Sequence, residues 1–289
     1  MPATPSPTAR ARRLRHELRR LREEAGLTHG EVAHRLEWSP SKLSRIENGQ
    51  SRVNTGDVAD LLAVYGVSDA ATREALIQLA REARRRGWWT RYTDVLGSGT
   101  YIGLEAEASA IHTFESQFVP GLLQTEDYAR AVISGGQVRP DPEAVERRVA
   151  ARMARQELFT RPEPPEIWAV LDESVILRPV GGPDVMRDQL RHLIEVSTRT
   201  NPVVTLQILP LSTGAHPGMS GSFVILSFQN PKDPPMIYLE TATDGLYLEE
   251  PPDIERYTLR FNHLVARALG PNESRAMITG LAEQMGRSA

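Results

Sequence analysis

Residues 27–52 read LTHGEVAHRLEWSPSKLSRIENGQSR. Thr28 and Glu31 have capping-box spacing: the hydroxyl accepts from the amide three residues on, and the carboxylate reaches back. A short helix follows through Val32, Ala33 and Leu36. Glu37-Trp38-Ser39 is a tight turn, and Pro40 suits the first turn of the next helix. That helix carries Leu43 and Ile46 and stops at Asn48-Gly49, where glycine accepts a left-handed backbone. Two short helices joined by a three-residue turn make a helix-turn-helix unit. Leu27, Val32, Leu36, Leu43 and Ile46 supply its apolar seam, and Ala33 is small where the helices cross.

The outward side of the second helix reads Ser41, Lys42, Ser44 and Arg45, with Ser39 at its start. These side chains are short or cationic, as a helix lying in a major groove requires. Arg45 has the fork geometry for guanine O6 and N7, and Lys42 suits a base or a phosphate. His29 sits in the first turn of the preceding helix, where backbone amides favour phosphate. Gln50 and Arg52 follow the second helix and would meet the flanking DNA backbone. These eight residues are the expected contacts to double-stranded DNA.

Working outward, Leu14, Leu18, Leu21 and Ala25 recur at helical spacing within residues 10–25. Residues 53–66 and a stretch opened by Ser68 read as fourth and fifth helices. The expectation is a mainly α, five-helix domain over 10–86, behind a Pro/Ser/Thr-rich disordered tail at 1–9. Residues 1–91 hold 17 basic and 11 acidic side chains, a net charge of +6; the remainder holds 17 and 26, a net charge of −9. A basic head on an acidic body fits a polyanion-binding domain joined to a differently employed one.

Residues 87–103 are rich in glycine and aromatics and read as a structured connector. Residues 104–286 read as an α+β domain. A helix is expected at 104–116, a Thr125-capped helix reaching Ile133, and a long helix over 142–159. Residues 167–171 read as a strand and 183–197 as a helix. Strands at 203–209, 221–228, 235–240 and 246–248 then suggest an antiparallel sheet, closed by helices at 252–269 and 271–284.

The 289 residues contain no cysteine, which excludes disulfides, thiolate metal sites and cysteine nucleophiles. No apolar run approaches the roughly 18–20 residues that span a bilayer, and no secretory h-region follows the N-terminus. A cytoplasmic, nucleoid-associated protein with no membrane partner is the expectation. His-Glu-x-x-His, Walker, G-x-S-x-G and dinucleotide-glycine motifs are absent. No catalytic residue, metal or cofactor is expected. Glu105, His216 and Glu240 are candidates for a ligand or partner pocket, because His216 lies in a loop with three glycines and Glu240 ends a nearby strand. The alternative is an enzyme on a DNA-binding head, with Glu105, Asp172, His216 and Glu240 as acids and bases. It requires His216 and a carboxylate at hydrogen-bond distance in one cleft.

With its S-x-x-S-R-I-E-N-G core, the 27–52 stretch resembles the Xre/Cro/CI-type helix-turn-helix family of transcriptional regulators. That resemblance implies a structural ion pair between Glu47 and Arg22. Pro40 departs from the family, near a position where other members carry a base-reading amide. The blocks YIGLEAEASAIHTFESQFVPGLLQTEDYARAVIS (101–134), WAVLDESVILRPVGG (168–182), QILPLSTGAHPGMSGSFVILSF (207–228) and YLETATDGLYLEE (238–250) resemble the DUF5753 domain. Head and body together resemble the Scr1-family antitoxin-like regulators of actinobacteria. The resemblance implies a DNA-binding regulator paired with a small DUF397-type protein. Two-fold operators also favour a homodimer on a palindromic site.

Overall fold

The computed structural model describes residues 7–51, 53–84, 87–96, 99–200, 204–230, 233–241 and 245–287. The chain divides into two compact units, parted in sequence between Thr90 and Arg91.

The first unit is helical: α1 (Pro7–Glu24), α2 (His29–Arg35), α3 (Pro40–Glu47), α4 (Thr55–Val64) and α5 (Ala70–Ala83). Helix α1 begins inside the stretch expected as a tail, and residues 1–6 lie outside the described residues. Leu14 and Leu18 of α1 bury against Val32, Leu43, Leu61 and Leu62. The Thr28–Glu31 capping box forms in full at the start of α2. Helix α5 is capped by Asp69 rather than Ser68: its carboxylate accepts from the Thr72 amide and hydroxyl. A carboxylate there also meets the positive end of the helix dipole.

The second unit opens with α6 (Thr93–Leu96) and α7 (Thr100–Glu105), which occupy much of the expected connector. Next come β1 (Ala108–Glu115), α8 (Glu126–Gly135), α9 (Pro142–Arg155), β2 (Glu166–Asp172), α10 (Glu173–Leu177) and α11 (Pro183–Thr198). The strands β3 (Val204–Leu209), β4 (Phe223–Phe228), β5 (Met236–Glu240) and β6 (Gly245–Leu248) follow, then α12 (Pro251–Arg267) and α13 (Pro271–Arg287). The helix expected at 104–116 is instead the end of α7 and the strand β1.

The six strands lie in the order β3-β2-β1-β4-β5-β6. β1, β2 and β3 run parallel, while β4, β5 and β6 pair antiparallel. The sheet is therefore mixed, which corrects the antiparallel expectation. Helical crossovers explain it: α8 and α9 carry the chain from β1 to β2, and α10 and α11 from β2 to β3. Parallel neighbours require such connections.

β1 is central and turns Ile111, Thr113 and Glu115 to one face, His112 and Phe114 to the other. On the Phe114 face, Val170, Phe223 and Ile225 pack with Phe261 and Leu264 of α12. Among the described residues no helix is long and apolar enough to cross a membrane.

Gly218 lies in the 3-10 turn Pro217–Ser220, against the fully buried Phe114 ring. An alanine methyl there would sit 2.4 Å from Phe114 Cε1. Gly218→Ala is expected to destabilise the second unit by about 1–3 kcal/mol, measured by differential scanning calorimetry; an unmoved transition would contradict this packing.

Candidate nucleic-acid interface and a buried charged cavity

The α2–α3 pair is held by one carboxylate. The Glu47 side chain, on the last turn of α3, is only 4% exposed. Arg22 of α1 donates to it twice, from Nε at 2.7 Å and from Nη2 at 2.9 Å. Arg22 Nη1 donates to the Leu27 carbonyl. His29 of α2 completes the set, its Nε2 lying 3.0 Å from Glu47 Oε2. Three helices thus converge on Glu47. The hydrogen bonds that Arg22 donates to Glu47 hold the Arg22 proton more tightly than usual, against the opposing effect of burial.

This arrangement sorts the candidate DNA contacts. Ser39, Ser41, Arg45 and Gln50 are exposed. Among the described residues no side-chain hydrogen bond or ion pair engages the Arg45 guanidinium. Ser44 Oγ accepts from Asn48 Nδ2 at 3.3 Å. Lys42 is tied inward: its Nζ donates to Asp57 Oδ1 at 2.8 Å and sits 3.6 Å from the Trp38 ring centre. His29 is likewise engaged with Glu47. Arg52 lies outside the described residues. Along α1, Arg19 and Arg20 pair with Glu17, Glu23 and Glu24 one turn away, and Arg10 pairs with Glu82 of α5.

A second constellation lies on the Glu115 face of the sheet. Glu105, at the end of α7, is buried and receives a bidentate pair from Arg155 of α9, at 2.8 and 2.7 Å. The Arg155 guanidinium also stands 5.4 Å from the Tyr101 ring centre, and Tyr101 stacks on Tyr238. Tyr101, Glu105 and Arg155 border a small cavity of about 30 Å³, open to solvent on one side. Thr113 and Glu115 reach it from β1. Burial pushes the Glu115 carboxyl up to about 7; hydroxyl hydrogen bonds from Ser222 and Thr113 oppose this, Glu240 adds to it and Arg152 opposes it. Arg152 Nη1 donates to Gln124 Oε1, and burial with the nearby Arg155 charge lowers its pKa to about 10.

The three expected pocket residues do not converge. Glu105 lines the cavity. Glu240 is exposed at the end of β5 and acts on Glu115 and Arg152 through its charge. His216 lies on the opposite face, its ring edge against Phe114. His216 Nδ1 accepts from the Gly218 amide, and Nε2 stands 3.7 Å from Asp172 Oδ2, too far for a hydrogen bond. Asp172 instead caps α10, taking the Ser174 amide. Among the described residues no three His, Asp or Glu side chains could hold a metal ion. Sequence reasoning put Glu115 on a solvated acidic helix and passed over Arg152 and Arg155. The alternation of Ile111, Thr113 and Glu115 with His112 and Phe114 is the signal that could have placed Glu115 on a strand.

Comparison with known proteins follows this division. Residues 13–76 match the family described as a helix-turn-helix domain. Residues 98–280 match a domain of unknown function, DUF5753. The chain belongs to the DUF5753 family. The DUF5753 match contains all six strands and both walls of the charged cavity. The chain matches no curated protein and no solved structure.

Two predictions follow from the buried charges. Glu47→Ala leaves the buried Arg22 guanidinium with only the Leu27 carbonyl and the exposed Glu23, and removal of one partner of a buried pair costs about 3–5 kcal/mol; chemical denaturation of the helix-turn-helix unit measures it, and an unchanged midpoint contradicts it. Glu115 carries its proton in both states below its ordinary pKa of 4.5. As pH rises from there towards 7, the unfolded chain ionises first, so the folded state loses stability. Glu115→Gln is expected to flatten the stability–pH profile of the DUF5753 domain over that window; superimposable profiles would contradict the assignment.

Proposed function

We propose that this chain is a sequence-specific, Xre-type transcriptional regulator whose DUF5753 domain receives the signal. The helix-turn-helix match supports DNA binding. The observation that carries the reading further is the outer face of α3, where Arg45 is exposed and unengaged beside Ser41, with Ser39 and Gln50 at either end. Arg45 reads a base, Ser39, Ser41 and Ser44 admit close approach, and Gln50 and Arg52 hold the flanking phosphates. His29 and Lys42 act indirectly, because Glu47 and Asp57 already engage them. They set the angle at which α3 leaves the bundle.

A single short helix reads few base pairs, so the operator is a palindrome bound by a homodimer, with half-sites about one helical turn apart. In this reading the DUF5753 domain aids dimerisation and binds a small DUF397-type protein or a ligand, in the manner of an antitoxin. The acidic charge of the C-terminal two-thirds supports a division of labour, since it would repel DNA phosphates while the basic head attracts them.

The test is a gel shift of the full chain on the upstream region of its own gene, with and without the small protein encoded beside it. A shift that the neighbour weakens or supershifts is expected. Arg45→Ala should cost about 1–3 kcal/mol and relax selectivity at one base pair. A loss shared equally by all sequences would make Arg45 a phosphate contact, and no shift on any duplex would overturn the reading.

A further inference from the structure

The cavity on the Glu115 face combines aliphatic walls with one carboxyl that no cation touches. Ile111, Leu122, Leu123, Ile167 and Val224 form the walls. The other polar groups are already joined to one another. Glu105 accepts both Arg155 N–H groups and is bonded by the Tyr101 side chain. Glu115, by contrast, is bonded only by hydroxyls, those of Thr113 and Ser222. Among the described residues no guanidinium, ammonium or imidazole nitrogen bonds it.

The charges around Glu115 come from every element packed there. Tyr101 stands on α7, Tyr128 on α8, Arg152 and Arg155 on α9, Glu105 at the end of α7 and Glu240 on β5. Arg161 and Glu107 attract one another and add no net charge. Arg178 acts on the same Tyr128 as Glu115 does. Glu105 is matched by Arg155, while no guanidinium bonds Glu115, and burial favours its protonated form.

We propose that this cavity binds an ammonium ion of methylammonium size, its charge seated on Glu115 and its methyl group against the aliphatic walls. The ammonium takes the place of the carboxyl proton, which leaves to solvent, so Glu115 ionises against the cation it otherwise lacks. A bound anion would meet Glu105 and Glu115 with Arg155 already engaged. A neutral alcohol would leave the protonated carboxyl as it is. This names the ligand class for the receiving role proposed above, and it rests on that role only for any effect at DNA.

The test is isothermal titration calorimetry of the full chain, without DNA, using methylammonium chloride as probe and methanol and formate as controls. The ammonium is expected to bind at one site. Below pH 7 its affinity should rise about tenfold per pH unit, with close to one proton released, and level off above. Glu115→Gln should weaken it at least about tenfold, the loss of one charged partner. Should that variant not fold, the pH series on the unaltered chain decides. Affinity equal at pH 6 and pH 8, equal binding of the alcohol or the carboxylate, full binding by Glu115→Gln, or no heat with the ammonium would each overturn the site. A gel shift retained alongside such a failure would sink the site and leave the DNA reading standing.

Discussion

The buried carboxylate of Glu47 is the constraint on which the helix-turn-helix unit depends. It sits at the end of α3, so whatever holds it fixes the recognition helix. Arg22 holds it from α1 and His29 from α2. A bidentate guanidinium–carboxylate pair fixes orientation as well as distance. Lys42 then anchors the opposite flank of α3 to Asp57 at the start of α4. With both flanks tied, the outer face is left to Ser41 and Arg45. The same residue types that a groove-reading helix needs are thus divided between those that aim it and those that remain open.

The DUF5753 domain depends on a different constraint, the placement of β1 at the centre of a mixed sheet. Its alternation puts Phe114 into the core beneath α12 and Glu115 into the opposite cavity. The carboxyl at the end of this central strand is largely shielded from bulk water. Its environment must therefore supply a cation or keep its proton. The Arg155 guanidinium, which also lines the cavity, is committed to Glu105. Burial gives Glu115 its raised pKa, and the commitment of Arg155 leaves Glu115 as the cavity carboxyl that no guanidinium bonds.

The helix-turn-helix unit was legible because its signals are local. A capping box, a proline at the start of α3 and a glycine after Asn48 each act within a few residues. The sheet was less legible. β1 has both faces covered, which blurs the alternation that marks a half-exposed strand. Leu104, Ala108, Ile111 and Glu115 also fall at spacings of four, three and four, which imitate a helix. Reading that stretch as helix hid the first strand and with it the parallel crossovers. The cavity was invisible for the same reason, because Glu105, Glu115 and Arg155 are brought together only by the crossover of α8 and α9. His29 and Lys42 show a further limit. Their residue types suit phosphate, but Glu47 and Asp57 engage them, and that follows only from the packed bundle.

The measurement that tests the central claim most directly is hydrogen–deuterium exchange of the full chain with and without a duplex from its own upstream region. The account predicts slowed exchange over α3 and the turn after it, residues 39–51, with α5 unaffected. Protection confined to the DUF5753 domain, or none at α3, would contradict it.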